Sequence, residues 1–240
     1  MGAVIYIGHG SRTEQGNKQF ESFIQETLEL IDVPIKAFGY LENATPSIIE
    51  AIENCVEQGA TEISVIPVLL LPGIHSNIDI PVEMEKGKKK FPYIQFRYGE
   101  PLGSDPIVAN IILSRLEEKD FLNNTEETLL LVGHGSRNPQ AQSEFEKLAS
   151  NLREQLIASV HTSYLKTEPF YGDVLDELVH PFKKIYILPH LLFTGGFQKE
   201  IEETCRKFKN SDLVLCDPIG FDDKLKELLV RRLETTTTLG

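Results

Sequence analysis

Two histidines and a glutamate in the first third of the chain have side chains that could do chemistry together. His9, Glu42 and His75 each follow a short apolar run of the kind that forms a β-strand. The carboxyl ends of parallel strands meet at one edge of a sheet, so these three side chains are expected to lie close together. Two imidazoles and one carboxylate bind a divalent transition metal and leave coordination positions open. The sequence therefore predicts a metal site at this edge.

Two of the three residues also have a simpler interpretation. His9 lies between two glycines and could hydrogen-bond the backbone in a tight turn. Glu42 precedes a helix and could be a solvated carboxylate or a partner of the helix dipole. The metal interpretation therefore rests on the convergence of the three residues and not on any one of them.

His9 belongs to the pentapeptide Gly8-His9-Gly10-Ser11-Arg12. The glycines allow the backbone to approach a ligand, Ser11 is predicted to cap the following helix, and Arg12 offers a fork of donors to a carboxylate or phosphate. The segment contains no Gly-x-x-x-x-Gly-Lys, and no Gly-x-Gly-x-x-Gly follows the strand. A nucleotide site is therefore not supported.

The same pentapeptide occurs twice, at residues 8–12 and 133–137, an offset of 133 − 8 = 125. Four further blocks return in the same order, at offsets that shrink to 117 as loops shorten. A period of this length is too long for a solenoid and indicates a duplicated domain. We predict an N-terminal lobe at residues 1–122, which carries the catalytic residues, and a C-terminal lobe at residues 123–240, which covers the cleft.

Alternating strand and helix patterns predict an α/β fold with two similar doubly wound parallel-sheet lobes. In the first half one helix is predicted to have an apolar face, and the next helix is predicted to begin near Thr45-Pro46 and to end at Gly59. The apolar face is formed by Phe20, Phe23, Ile24, Thr27, Leu28 and Ile31. The tail from Thr235 to Gly240 is predicted to be disordered. Strands are predicted at residues 3–7, 35–41, 62–71, 93–98, 129–132, 160–165, 184–188 and 212–216.

The second half departs from the first at the candidate metal ligands. His134 matches His9, but Lys166 takes the place of Glu42, and Phe197 takes the place of His75. We therefore predict one active site, built on the first half. His134 is then a relic or a substrate contact, and His190 is a residue of the cleft wall.

The segments Gly8-His9-Gly10-Ser11-Arg12, Tyr40-Leu41-Glu42 and Leu69-Leu70-Leu71…His75…Asp79-Ile80-Pro81 resemble the class II tetrapyrrole chelatases, which are the sirohydrochlorin ferrochelatases and cobaltochelatases. The resemblance covers essentially the whole chain, including Leu192-Phe193-Thr194-Gly195. It implies a lyase that inserts a divalent metal into sirohydrochlorin, and we expect the metal to be Fe²⁺, which gives sirohaem. It also implies that His9 and His75 act as metal ligands or proton acceptors, assisted by Glu42, and that the metal is a substrate and not a permanent cofactor.

The flat macrocycle and its carboxylates require contacts of their own. We expect these from Ser11, Arg12, Leu71 and Gly73, although for the leucines a place in the core of a buried strand is the stronger interpretation. The chain has 24 basic and 36 acidic residues, a net charge of −12, so a polycarboxylate substrate needs local cations. Arg12 and its counterpart Arg137 are the candidates, whereas Lys86 and Lys88–Lys90 are more typical of a solvated helix face.

Composition excludes other partners. The acidic balance argues against binding to nucleic acid or anionic lipid. The three cysteines form no C-x-x-C pair, the N-terminal apolar run is not preceded by a basic region, and no stretch reaches the length of a membrane span. We expect a cytoplasmic monomer with reduced thiols.

Two alternatives stay open. Cobalt insertion into the same tetrapyrrole for cobalamin synthesis would use the same ligands, although the chain has no histidine-rich or cysteine-rich segment of the kind that handles cobalt. A non-catalytic metal-binding or tetrapyrrole-binding protein could also be built from two α/β lobes around a cleft.

Overall fold

The computed structural model describes residues 1–193, 195–208 and 212–238, and strands and helices alternate through both halves. The first half contains β1 (Gly2–Gly8), α1 (Glu14–Glu29), β2 (Ile35–Tyr40), α2 (Ile48–Glu57), β3 (Glu62–Pro67), a π-helical turn (His75–Asp79), α3 (Ile80–Lys90), β4 (Gln95–Tyr98) and α4 (Pro106–Glu117). The second half contains β5 (Glu127–Gly133), α5 (Pro139–Arg153), β6 (Ser159–Tyr164), α6 (Tyr171–Leu178), β7 (Lys184–Pro189), α7 (Gly196–Cys205), β8 (Asp212–Leu215), α8 (Lys224–Glu234) and β9 (Thr237–Thr238).

The eight long strands form two parallel sheets of the same topology. Their orders are β2-β1-β3-β4 and β6-β5-β7-β8, which confirms the prediction of two similar doubly wound sheets. The predicted disorder of the tail is wrong for β9, which pairs antiparallel with β4, Thr237 opposite Tyr98. The backbone of this short segment completes the open edge of β4. Residues 239–240 lie outside the described residues.

Both faces of the first sheet are covered, and the central strand β1 shows how. Ala3, Ile5 and Ile7 point into an apolar core shared with α2 and α3. Tyr6 points to the opposite face, where its hydroxyl donates to the Leu229 carbonyl of α8 at 3.3 Å. A strand buried on both faces has a continuous apolar sequence, and β1 has one.

The apolar face predicted for α1 is confirmed at Phe20, Phe23, Ile24 and Thr27, which are buried. Leu28 is half-buried, and Ile31 is buried but lies beyond the end of the helix at Glu29. The cap predicted at Ser11 is wrong. The helix begins at Glu14, and the Thr13 hydroxyl accepts the capping bond from the Gly16 amide at 3.2 Å. Ser11 lies two residues too early, and its hydroxyl instead accepts from the Thr13 amide at 3.1 Å.

The predicted start of α2 at Thr45-Pro46 is also wrong, by two residues. Ser47 is the N-cap, and it forms a capping box with Glu50, whose carboxylate accepts from the Ser47 amide at 2.7 Å. The predicted end is confirmed, because the helix closes at Gln58 and Gly59 follows with φ of +91°.

Two compact units divide the chain, one formed by Met1–Gly103 with Asp223–Gly240 and the other by Ser104–Asp222. Helix α4 follows the first sheet in sequence but packs on α5 and β7 of the second unit. Helix α8 packs on α1 and β3 of the first unit. The boundary predicted at residues 122/123 separates the two copies of the repeat, whereas each compact unit also contains the last helix of the other copy.

Candidate active site

The backbone brings His9 and Glu42 side by side at the carboxyl ends of β1 and β2. Parallel pairing continues past the strands, because the Leu41 amide donates to the Gly8 carbonyl at 2.9 Å and the Glu42 amide donates to the His9 carbonyl at 3.0 Å. His75 arrives from β3 after a loop, as the first residue of the π-helical turn. The structure therefore brings His9, Glu42 and His75 together at one edge of the sheet, as the sequence predicts.

Gly10 makes this close approach possible. Its φ is +90°, and a Cβ atom there would lie 1.7 Å from the Glu42 carbonyl oxygen. Gly8 is constrained in the same way, since its Cβ would lie 2.7 Å from the Phe20 ring. Within this chain the glycines admit neighbouring protein atoms, namely the Glu42 backbone and the Phe20 ring.

The three side chains place their donor atoms within a few ångströms of one another. His9 Nε2 lies 3.3 Å from His75 Nε2 and 3.5 Å from Glu42 Oε1. The two imidazole rings meet edge to face, at 82° and with 4.7 Å between their centroids. Two ligand atoms on one metal, each at about 2.1 Å from it, are themselves about 3.0 to 3.4 Å apart. The spacing of the two Nε2 atoms thus matches two ligands of one ion.

The other nitrogen of each ring has an acceptor beside it. His9 Nδ1 lies 3.1 Å from the Gly10 carbonyl oxygen, and His75 Nδ1 lies 2.7 Å from Asp79 Oδ2. A carbonyl and an ionised carboxylate only accept hydrogen bonds, so both contacts favour the tautomer with the proton on Nδ1. In that tautomer each Nε2 has a lone pair with which it can bind a cation.

The shell of ligands is not closed as it stands. Among the described residues, no group of three His, Cys, Asp or Glu side chains already surrounds a metal-sized position. His9 contacts both partners, and Glu42 is exposed with its Oε1 accepting from Asn43 Nδ2 at 3.0 Å. A rotation of this exposed carboxylate toward the two Nε2 atoms would complete a three-ligand set.

Asp79 is a functional candidate to which the sequence pattern assigned no role. It lies where the π-helical turn continues into α3, with helical φ and ψ, and its carboxylate contacts His75 Nδ1 and makes no side-chain cap. The signal in the sequence was a histidine followed four residues later by an aspartate, with Pro81 opening the next helix. Carboxylates that accept from a ligating imidazole orient the ring and fix its tautomer.

The predicted substrate contacts lie around this centre with different environments. The Ser11 amide donates to Asn17 Oδ1 at 2.7 Å, and its hydroxyl is engaged with Thr13. Leu71 is half-buried, while Gly73 faces open space, since a Cβ atom added there would meet nothing within 4 Å. Arg12 is exposed.

Arg12 and Arg137 differ from the other arginines. Within the described part of the chain, no ion pair or side-chain hydrogen bond occupies either one, and both are exposed. Of the lysines predicted to form a solvated face, two have close carboxylate partners, in the pairs Lys86–Glu83 and Lys90–Glu53, both at 2.6 Å. The two matched arginines are therefore exposed cations available to an anionic ligand.

The second copy of the site has the correspondence that the sequence predicts. The Lys166 amide donates to the His134 carbonyl at 3.0 Å, as Glu42 does to His9, and His134 Nδ1 again lies 3.1 Å from a glycine carbonyl. The Phe197 ring meets His134 edge to face at 4.6 Å, in the place of His75. Lys166 Nζ lies 5.6 Å from the Phe197 ring centroid and 2.7 Å from Glu200 Oε2. Thr194 of the Leu192–Gly195 stretch lies outside the described residues.

His190 is a core residue, and its predicted place in a cleft wall is wrong. The side chain packs on Phe145 with 5.0 Å between ring centroids, and the residue is 3% exposed. Burial lowers the pKa of His190 to about 3, so the imidazole is neutral. The three cysteines are free thiols, as expected, and burial raises the pKa of Cys55 to about 11.

Comparisons with known proteins agree with one another. The CbiX family model matches the chain twice, at residues 3–119 and 128–236. A sirohydrochlorin ferrochelatase of Priestia megaterium is 34% identical over 98% of this chain and 90% of its own length, and a sirohydrochlorin cobaltochelatase of the same organism is 33% identical over 98% and 79%. The structure of SirB from Bacillus subtilis with Fe³⁺ has a TM-score of 0.91 at 31% identity, covering 97% of this chain and 94% of that one. Within the described residues, no helix combines the length and apolar character needed to span a bilayer.

Proposed function

The chain belongs to the CbiX family, and from that premise we propose that it is a metal chelatase, a lyase that inserts Fe²⁺ into sirohydrochlorin to give sirohaem. The observation that carries the proposal is the pair of imidazole nitrogens, His9 Nε2 and His75 Nε2, that lie 3.3 Å apart. Because the hydrogen-bond acceptors lie beside the two Nδ1 atoms, both Nε2 atoms are placed to bind one cation.

Metallation replaces two pyrrole N–H protons with one metal ion. The site must therefore hold the ion, present it to one face of the ring and accept two protons. Neutral imidazoles and an ionised carboxylate do all three, and they release a metal more readily than a set of thiolates does. His9 and His75 are then the ligands that deliver the ion. As each Nε2 loses the metal it regains a lone pair that accepts a proton, with Glu42 assisting.

The charge of the substrate calls for cations close to the site. Sirohydrochlorin carries several carboxylates, and the protein has a net charge of −12. Arg12, three residues from His9, is exposed and has no acidic partner within the described residues. Its planar fork suits a carboxylate, and Arg137 offers the same group in the second unit. Ser11, Leu71 and Gly73 complete the proposed substrate contacts.

Cobalt insertion is the second candidate function, and a specific observation favours keeping it. A cobaltochelatase is 33% identical to this chain, almost the same as the ferrochelatase. Fe²⁺ and Co²⁺ are neighbours in affinity for a nitrogen and oxygen ligand set. Iron is preferred here because the chain has no histidine-rich or cysteine-rich segment. A cytoplasmic monomer is proposed with it, supported by the free thiols and by the duplication, which places both copies in one chain.

The test follows tetrapyrrole absorbance after mixing the protein with sirohydrochlorin and either Fe²⁺ or Co²⁺. Turnover beyond one equivalent is expected, and the ratio of the two rates assigns the metal. A stoichiometric spectral change without turnover would instead identify a non-catalytic binding protein. A rate equal to that without protein, for both metals, would rule out the enzyme.

His9→Ala and His75→Ala are each expected to lower kcat by at least about 100-fold, because each removes a metal ligand and a proton acceptor. Phe197→Ala is the matched control, since Phe197 occupies the place of His75 in the second copy. That variant should retain near wild-type turnover, and any loss should follow its thermal stability. Wild-type rates in both histidine variants would place the active site elsewhere.

A further inference from the structure

Three large apolar side chains stand exposed on the helix that carries His75. Ile74, Ile78 and Val82 are 54%, 54% and 49% exposed, and they are spaced four residues apart. Ile74 precedes the π-helical turn with helical φ and ψ, Ile78 lies within the turn, and Val82 lies in the first turn of α3. Residues at this spacing stack along one side of a helix. We call these three residues the exposed ridge.

The ridge contributes little to the fold of its own unit. The residues of α3 that pack inward are Ile80, Met84 and Gly87, and the first two belong to the core shared with α2. The ridge lies on the other side of the same helix. Large apolar side chains grouped on a surface commonly mark a binding site.

Open space adjoins the ridge at Gly73. A Cβ atom there would meet nothing within 4 Å, and the backbone of Gly73 does not require a glycine, because its φ is outside the left-handed region. Its amide is tied down, donating to the Ser76 hydroxyl at 2.9 Å. The loop is therefore held in place while the space in front of it stays free.

The position of the ridge relative to the metal ligands indicates what fills this space. Ile74 is adjacent to His75, and Ile78 is adjacent to Asp79, which holds the His75 ring. A ring that takes a metal from His75 must bring its own nitrogens to about 2 Å from that ion. A flat macrocycle placed so close to the imidazole also covers the surface beside it.

We propose that the exposed ridge, with the open space at Gly73, is the seat for one apolar face of the tetrapyrrole macrocycle. The proposal rests on the proposed function and extends it, because it assigns ring affinity to residues that bind neither metal nor carboxylate. In a protein of net charge −12, apolar contact attracts a polycarboxylate without adding to the repulsion between charges.

The experiment measures sirohydrochlorin binding by absorbance titration without metal, for the wild type and for the double variant Ile78→Ser/Val82→Ser. We expect the Kd, and the KM for the tetrapyrrole during turnover, to rise at least about tenfold, as the loss of two buried apolar contacts implies. The affinity for Co²⁺ alone and the kcat at saturating tetrapyrrole should not change. Ile157→Ser is the matched control, since Ile157 is 70% exposed in the second unit, and it should bind like the wild type.

A second variant guards against misfolding of the first. Gly73→Val fills the open space without a backbone penalty and should also weaken ring binding while leaving Co²⁺ binding intact. If the variants that fold bind sirohydrochlorin with the wild-type Kd, the seat lies elsewhere and the proposed function survives. If the wild type itself does not bind sirohydrochlorin, the proposed function and the seat fall together.

Discussion

His75 is held at one nitrogen of its ring, and the other nitrogen is directed at His9. Nδ1 donates to Asp79 at 2.7 Å, and Nε2 lies 3.3 Å from His9 Nε2. Asp79 has helical φ and ψ where the π-helical turn continues into α3, and its carboxylate makes no side-chain cap. The contact that this carboxylate makes is the one to the imidazole, which it orients.

Asp79→Asn is therefore expected to weaken Co²⁺ binding by about 10 to 100-fold, the usual effect of losing a carboxylate behind a ligating histidine. An amide can donate to Nδ1 and move the ring proton to Nε2, where it blocks the metal. The KM for the tetrapyrrole should stay unchanged, and Asp79→Glu should recover part of the metal affinity. Calorimetry and the Co²⁺ absorption spectrum measure the metal affinity of both variants, and steady-state turnover gives the KM.

Glu83→Gln supplies the control for that experiment, one turn further along the same helix and paired only with Lys86. It should bind Co²⁺ like the wild type. Equal losses in the two variants would mean that general acidity of the helix, and not the bond to His75, sets the affinity.

The residue types at the site were predictable, while their coupling was not. His9, Glu42 and His75 follow strand ends, and parallel topology alone brings such positions together. Asp79 acts through a rotamer and through the π-helical turn, in which the Ile80 amide bonds to the His75 carbonyl five residues back. Neither a side-chain rotamer nor a single π-helical turn produces a periodic pattern that can be recognised in a sequence.

At the scale of elements, the strand-to-helix turn after β1 depends on a left-handed backbone at Gly10. The same conformation returns at Gly135, where φ is +98° and a Cβ would lie 2.7 Å from Thr167 Oγ1. Both copies of the repeat therefore keep the turn, although only the first has all three candidate metal ligands, His9, Glu42 and His75. Because the second copy keeps the turn without the full set of candidate ligands, the turn is required by the fold and not only by the site.

Gly10→Ala should lower the free energy of unfolding by at least about 2 kcal/mol, since a side chain would be strained by φ of +90° and would overlap the Glu42 carbonyl. It should also abolish metal binding, because relief of the overlap moves Glu42 away from His9. Urea unfolding measures the first effect. Gly73→Ala, whose Cβ meets open space, should unfold at the same urea concentration as the wild type.

Element boundaries were less predictable than element types. The apolar run at residues 62–71 predicts one strand, but β3 ends at Pro67, and Leu69 and Leu70 then accept bonds from the Leu102 and Gly103 amides. Leu69 packs against the core cluster, as a buried strand residue would. An apolar run predicts that its residues are packed in the interior, but it does not predict where the strand ends. Here the packing continues to Leu69 although the strand ends at Pro67.

At the scale of the whole molecule, His190 makes stability depend on pH. Its folded pKa of about 3 lies below the unfolded value of about 6.5, so the unfolded chain binds a proton that the folded chain does not. The contribution of neutral His190 to the free energy of unfolding is fully present above pH 6.5 and is lost as the pH falls toward 3.

His190→Leu should consequently lose about 2 kcal/mol less stability than the wild type between pH 7 and pH 5. Urea unfolding at the two pH values measures the difference. His180→Leu removes an exposed histidine and should keep the wild-type pH dependence. An unchanged slope in His190→Leu would show that another group causes the acid sensitivity.

The duplication was visible in the sequence, and the two sheets confirm it. The placement of the last helices was not visible, because an amphipathic pattern shows that a helix packs without showing on which sheet. Each compact unit contains one helix from the opposite half, α8 in the first and α4 in the second.

This arrangement has a consequence for a gene that is split between the two copies. A gene broken between the two copies would encode two fragments, each lacking a helix that covers its own sheet and each carrying one meant for the other. Lys166 stands where the first copy has Glu42, and Phe197 stands where it has His75, although the two sheets have the same topology. The side chains at the strand ends therefore differ between the copies. Translation in a single reading frame supplies each compact unit with the helix that comes from the other copy.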